Sequence, residues 1–281
     1  MIFEHEIPAG SRLYFGESAK IKRKVEHIAS EVLENVGFEE IVTPFFSYHQ
    51  HQSIRNSKEL IRLNDPQNRE VTLRADSTID VVRLVTKRLG RTTTQKRWFY
   101  IQPVFRYPTI EINQIGAEWL DGKLSNILSV AISIFKELDV SPVLQISNIQ
   151  IPLIISSKFN IPLEWFASMQ IEKLLETKHK WLEKLVRIQT LKQLNSVISN
   201  IPKELSIELE KMRRLKQSIH YEHTILAPLY YAKMRYYDGL FFQCFKNNTL
   251  LASGGDFNSD EIKASGFALY TDALIEEMRR N

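Results

Sequence analysis

Between Glu17 and Val36 the apolar positions Ile21, Val25, Ile28, Val32 and Val36 recur every three or four residues, with Ala29 and Leu33 beside them. One face of a helix returns every 3.6 residues, so this spacing predicts an amphipathic helix, and Gly37 supplies its C-terminal cap. The β-rich run FEEIVTPFF follows and is stopped by Thr43-Pro44. REVTLR (69–74) alternates as a strand, and Asp76 to Leu89 returns to helical spacing through Ile79, Val82 and Val85, with Asp76 and Ser77 as candidate caps. WFYIQPVFRY and EINQIGAEWLDG read as two strands joined by a turn at Pro108-Thr109. Residues 124–138 read as a helix and VLQISNI (143–149) as a strand. From Pro162 to Ile219 the spacing is helical throughout, with Asn160-Ile161-Pro162 and Asn200-Ile201-Pro202 as matching start signals, since proline is tolerated in a first turn. Strand character returns in YYDGLFFQCF and TLLASGG, and a last helix is predicted over Gly266–Arg280.

Hairpins without regular β-α-β alternation imply an α+β fold, an antiparallel sheet flanked by helices. The long helical stretch reads as an insert over 156–219, which leaves a discontinuous main domain of residues 1–155 and 220–281. Neither a repeat of fixed period nor a low-complexity segment interrupts this pattern.

Composition narrows the function classes. The chain has 281 residues, 43% of them hydrophobic, enough for one large core or two modest ones. Its balance of +4 comes from 37 Lys/Arg against 33 Asp/Glu and is spread along the chain. No concentrated basic face argues for a nucleic-acid partner; KIKRK (20–24) and KMRRLK (211–216) fall where amphipathic helices put their solvated sides. A single cysteine, Cys244, excludes an internal disulfide framework and a cysteine-built metal site. Seven histidines show no ligand spacing, and the pair in Tyr48-His49-Gln50-His51 reads as surface loop, so neither metal nor cofactor is implied. The start of the chain lacks a basic segment followed by an apolar run, and no stretch of ~18 apolar residues occurs. No membrane contact and a cytoplasmic location are therefore expected.

Four strand-like segments carry polar groups in apolar surroundings: Arg74-Ala75-Asp76-Ser77-Thr78, Phe105-Arg106, Gln114-Ile115-Gly116-Ala117-Glu118 and Arg235-Tyr236-Tyr237-Asp238-Gly239. Residues four apart in a strand share a face, so Gln114 and Glu118 point the same way and Gly116 leaves a gap between them that a small ligand can occupy. A buried carboxylate needs a cation, so Glu118 and Asp76 should meet either Arg74, Arg106 and Arg235 or a ligand's amino group. For each residue alone a structural ion pair competes with a ligand contact. Tyr236 is expected on the opposite face, and Gly254-Gly255 reads as a tight turn.

These segments resemble the class II aminoacyl-tRNA synthetase catalytic domain, specifically histidyl-tRNA synthetases and their paralogue family, the ATP phosphoribosyltransferase regulatory subunits. IPAGSRLYF (7–15) resembles the N-terminal entry and GFEEIVTPFF (37–46) the dimer-forming motif 1. LRADSTIDVVRLV (73–85) resembles the synthetase's Arg-Pro-Glu-Gly-Thr segment, with Asp76 closer to the regulatory form. YIQPVFRY with QIGAE resembles motif 2 and its following strand, RYYDGLFF the histidine-binding segment, and SGGDFN with ASGFALYTDAL the motif 3 region.

The departures point away from catalysis. Tyr270-Thr271-Asp272-Ala273 stands where the synthetase's motif 3 carries an Arg on the ATP phosphates, and only YPTIEIN follows Arg106 in place of a longer basic loop. Ala232 falls near a further substrate-contacting Arg, with Arg235 as a shifted replacement, and no anticodon-binding domain follows motif 3. Adenylate formation needs cations on the triphosphate as charge develops, so losing three such contacts should abolish turnover. By resemblance, Asp76 and Thr78 would meet the α-ammonium of free histidine, Gln114 would place the same end, and Glu118 and Tyr237 would bond the imidazole; Arg106 and Arg235 are further pocket candidates. The resemblance implies a non-catalytic subunit, homodimeric through motif 1 within a hetero-oligomer, required by the catalytic subunit of short-form ATP phosphoribosyltransferase. The alternatives are a free-standing synthetase-like enzyme that activates histidine or another amino acid without tRNA, and a stand-alone amino-acid sensor.

Overall fold

The computed structural model describes residues 6–50, 54, 56–231, 237–259 and 262–280. Its first long element is α1 (Gly16–Asn35), followed by the short strands β1 (Glu39–Glu40), β2 (Phe46–Ser47), β3 (Arg62–Asn64) and β4 (Glu70–Leu73). Then come α2 (Thr78–Arg83), which runs into a π turn over Leu84–Arg88, the hairpin β5 (Arg97–Arg106) and β6 (Ile110–Leu120), α3 (Leu124–Glu137) and β7 (Val143–Asn148). The helices α4 (Gln150–Phe159), α5 (Leu163–Ala167), α6 (Ile171–Leu175), α7 (Lys180–Val186), α8 (Leu191–Val197) and α9 (Lys203–Gln217) precede β8 (Thr224–Leu226). The strands β9 (Tyr237–Lys246), β10 (Thr249–Ser259) and β11 (Ile262–Tyr270) lead to α10 (Thr271–Met278).

Eight strands form the main sheet in the order β1-β5-β6-β11-β10-β9-β7-β8, antiparallel except for the parallel pairs β1–β5 and β7–β8 at its edges. A second sheet, β2-β4-β3, stands beside it. This is the α+β architecture expected from the hairpins.

Period-two alternation gives the main sheet two unlike faces. Phe99, Ile115, Ala117, Phe242, Phe267 and Leu269 point to one, where Val25, Ala29 and Leu33 of α1, Ile127, Ala131 and Phe135 of α3, and Leu274 of α10 cover them. The same core continues through Leu205, Leu209 and Met212 of α9, so the helices of 156–219 share it with the sheet. Trp98, Tyr100, Leu120, Phe241, Phe257 and Ala264 point to the other face, where Val81, Val82 and Val85 of α2 and the π turn lie over them together with Ile149, Leu153 and Tyr230. That face, the open face, is the more sparsely covered of the two.

Several local expectations hold. Helix α1 ends where Gly37, at φ +81°, sends its N–H to Glu34 O (2.8 Å) while Phe38 N–H reaches Leu33 O (3.0 Å), the double bond that satisfies the last carbonyls. Others are corrected. The segment 266–270 is strand, and the helix begins only at Thr271. Gly254 and Gly255 lie mid-strand in β10, opposite Phe267 and Gly266, with no turn between them. The helical spacing after Pro162 is broken into five helices, and Asn160, read as a start signal, closes α4 in the left-handed region at φ +55°.

Candidate functional site

The β5–β6 register sets Tyr100 opposite Gly116, Trp98 opposite Glu118 and Gln102 opposite Gln114, all on the open face. Glu118 in turn faces Gly266 of β11, and Gly255 of β10 lies next in the row. A side chain at Gly266 would overlap the Glu118 carboxylate, so the floor is bare backbone where that carboxylate rests. The gap expected at Gly116 is filled: the Tyr100 ring lies where a Gly116 side chain would be. Sequence spacing found the glycine but not its occupant, because cross-strand register decides which residue leans over it.

Glu118 is 1% exposed. Its Oε1 accepts from the Tyr100 hydroxyl at 3.3 Å, and Oε2 has no hydrogen-bond partner among the described residues. Burial pushes its carboxyl well above the usual range; the nearby Thr78 hydroxyl opposes this, neighbouring Asp76 reinforces it, and the Tyr100 bond opposes it again. Burial, Glu118 and Asp76 likewise raise the Tyr100 phenol. Asp76 precedes α2, whose first turn it caps through Ile79 N–H to Oδ1 (3.3 Å), while Ser77 Oγ instead accepts from Gln102 Nε2 (3.1 Å). The buried Gln50 fixes this turn: its Oε1 accepts from Ala75 N (2.8 Å) and Asp76 N (2.7 Å).

The cations expected beside Glu118 lie elsewhere. Arg74, fully buried, donates to Thr43 O (2.9 Å), Pro44 O (3.2 Å) and Pro103 O (2.7 Å), and burial lowers its guanidinium to about 10. It clamps the loop after β1 to β5. Arg106 pairs with Glu59 at 2.9 Å, although its buried Nε has no partner among the described residues. Arg235, with Ala232 and Tyr236, lies outside the described residues. Among the described residues Glu118 therefore forms no ion pair.

Asp76, Thr78, Tyr100, Glu118 and Tyr237 are brought together: Thr78 Oγ1 and Tyr100 Oη stand 3.4 Å apart, Asp76 lies near enough to act on Glu118, and Tyr237 shares the buried cluster of Tyr100. The buried Tyr237 ring stacks on Phe241 (6.1 Å, 19°). Gln114 is half-buried further along β6, next to Tyr270 of β11, whose hydroxyl meets Ser253 Oγ at 3.0 Å. On the same face the buried Gln243 has an Oε1 without a donor among the described residues. Two acceptors so placed, Glu118 Oε2 and Gln243 Oε1, suit a compact ligand that brings N–H groups. Sequence reasoning missed Tyr100, Gln50 and Gln243; none has a spacing signal. Among the described residues no group of three His, Cys, Asp or Glu side chains could hold a metal ion, and no helix is long and apolar enough to cross a membrane.

Residues 13–274 match the family model described as histidyl-tRNA synthetase. An ATP phosphoribosyltransferase regulatory subunit from Wolinella succinogenes is 50% identical over 282 aligned residues, covering 100% of this chain and 98% of that protein. Another, from Helicobacter hepaticus, is 42% identical, covering 98% and 99%. The chain belongs to the ATP phosphoribosyltransferase regulatory subunit family. At the level of fold, a crystal structure titled as such a regulatory subunit/histidyl-tRNA synthetase from Bacillus halodurans superposes with a TM-score of 0.84 at 20% identity, over 99% of this chain and 84% of that one. A histidine–tRNA ligase subunit from Alicyclobacillus acidocaldarius gives 0.79 at 18% identity, over the full length of both. This family member puts its motif 3 segment to structural use. Ala273 packs against the core, and Asp272 accepts from the Tyr14 hydroxyl, from Asn113 Nδ2 (3.1 Å) and from Asn113 N (3.2 Å). The burial of Tyr14 and its bond to Asp272 both push that phenol up.

Proposed function

We propose that this chain is the non-catalytic regulatory subunit of a short-form ATP phosphoribosyltransferase, required for activity of its catalytic subunit in the first step of histidine biosynthesis, and that the site on the open sheet face senses free histidine. The observation that carries this reading is the end-to-end likeness to relatives bearing the regulatory-subunit name. The site adds chemical support. Histidine presents an ammonium and two ring nitrogens, matching Asp76 with Thr78 at one end and Glu118 with Tyr237 at the other, with Gln114 beside the ammonium end. Arg106 lies on the same face, and its Nε, unpartnered among the described residues, is suited to the ligand's carboxylate.

Loss of catalysis follows from Ala273 and the short turn after Arg106, which leave few cations for a triphosphate. Purified protein is therefore expected to show no amino-acid-dependent exchange between ATP and pyrophosphate. Exchange clearly above a heat-killed control, with histidine or any other amino acid, would contradict the non-catalytic reading. Val42 (79% exposed), Phe45 (53%) and Phe46 (57%) in the motif 1 segment form an apolar surface suited to a second copy, which supports a homodimer within the hetero-oligomer.

A further inference from the structure

Next to Glu118 the open face is bare backbone, Gly266 and then Gly255, but farther along β11 a ring crosses it. Tyr270, the last residue of β11, is half-buried and pairs with Gln114 of β6. Its hydroxyl lies 3.0 Å from Ser253 Oγ, and Ser253 pairs with Ala268, two residues back from the tyrosine. The side chain therefore runs back along β11 and across to β10, fixed at its root by the ladder with β6 and at its tip by Ser253. Asp76 and Arg106, the groups proposed for the ligand's ammonium and carboxylate, both lie near enough to act on its phenol, as does Tyr230, whose ring stands 5.6 Å from Phe241. Tyr270 thus stands beyond the ligand's α-carbon, where anything attached through the carboxylate has to pass. The polar floor does not end at the ring. Past its hydroxyl, Ser253 pairs with Gln243, whose Oε1 has no donor among the described residues. Groups that would serve a longer ligand are present, and the ring lies between them and the groups that hold the amino acid.

From this placement we propose that Tyr270 sets the size limit of the site: it admits an amino acid with a free carboxylate and bars the same amino acid once that carboxylate carries a substituent, as an amide, an ester or a mixed anhydride with a nucleotide phosphate. Such specificity comes from a built-in clash with the wrong ligand, without any tighter contact to the right one. The proposal rests on the histidine reading, which decides which end of the ligand faces Tyr270. It gives the absence of catalysis a cause independent of the lost cations, since an activated amino acid has no room to form.

Isothermal titration of the full chain with histidine, histidinamide and N-benzylhistidinamide tests the limit. The two amides lack the same charge and differ only in size, so the ratio of their affinities reports the ring. Wild type is expected to bind histidine, to bind histidinamide more weakly but measurably for the lost charge, and to bind the benzylamide at least roughly tenfold more weakly than histidinamide, the cost of forcing a group into occupied space. Tyr270→Ala should narrow that ratio by roughly tenfold. Tyr270→Leu, which keeps more of the packing at this position, should narrow it in the same direction and serves where the smaller residue unfolds the chain. A benzylamide bound by wild type as tightly as histidinamide, or a ratio unmoved in a folded truncation variant, would overturn the proposal. No binding of histidine to wild type would instead strike the histidine reading, and the size limit with it.

Discussion

Glu118→Gln should lose histidine affinity by roughly ten- to a hundredfold while gaining thermal stability over wild type as pH rises above the ordinary carboxylate range. The first effect follows from chemistry the variant lacks: a carboxyl can hand its proton to the imidazole and hold the resulting cation, whereas an amide offers only neutral bonds. A hydrogen bond to a charged partner contributes about 1.5–3 kcal/mol. The second effect follows from the raised carboxyl of Glu118. A group whose folded-state pKa is raised contributes stability that is fully present below its unfolded pKa and lost as pH rises through the folded one. Over that window, from the ordinary carboxylate range upward, wild type loses about 1.4 kcal/mol per pH unit relative to the variant. The Tm difference between variant and wild type should therefore be small in the ordinary carboxylate range and grow as pH rises above it, read by differential scanning calorimetry. A side chain that costs stability when the site is empty and adds affinity when it is filled serves the ligand. Equal histidine affinity in the variant would show that the ligand lies differently, and a pH-independent Tm difference would show that Glu118 is ionised in the empty site.

Gly254→Ala should lower stability by about 2–3 kcal/mol, the cost of overpacking, and Tm by several degrees. The added methyl would stand 2.5 Å from Gly266 O and 2.7 Å from the Phe242 ring, and a carbonyl held in the neighbouring strand has nowhere to retreat. Gly239→Ala is the matched control: among the described residues nothing lies within 4 Å of its added methyl, so Tm should hold or rise slightly. A silent Gly254→Ala would mean that the pair sits in a turn, as sequence pattern alone suggests.

The contrast between those two readings shows where pattern stops being informative. Helix α1, the β5–β6 hairpin, α3 and β7 were legible because each is long or strictly periodic and bounded by Gly37, Pro108-Thr109 or a change of period. The ASGFALY segment was not, since its small and apolar residues satisfy helical and strand spacing alike, and only pairing with β6 and β10 decides for strand. Within the site, Glu118, Thr78 and Asp76 stood out as polar groups in apolar runs, and the structure gathers them. Tyr100 in the Gly116 gap, and the clamp of Arg74 on three carbonyls where an ion pair was expected, depend on register and loop path between segments far apart in the chain.

A sensor acts only if its ligand biases a second site, and such coupling is typically about 1–3 kcal/mol and reciprocal between the two ligands. The decisive measurement is the rate at which ATP and phosphoribosyl pyrophosphate condense on the same organism's short-form catalytic subunit, with and without this chain, across a histidine titration. The catalytic subunit is expected to be weak or inactive alone, to gain activity with this chain, to lose it as histidine rises, and to elute with it on size exclusion. Unchanged activity together with separate elution would contradict the regulatory-subunit reading.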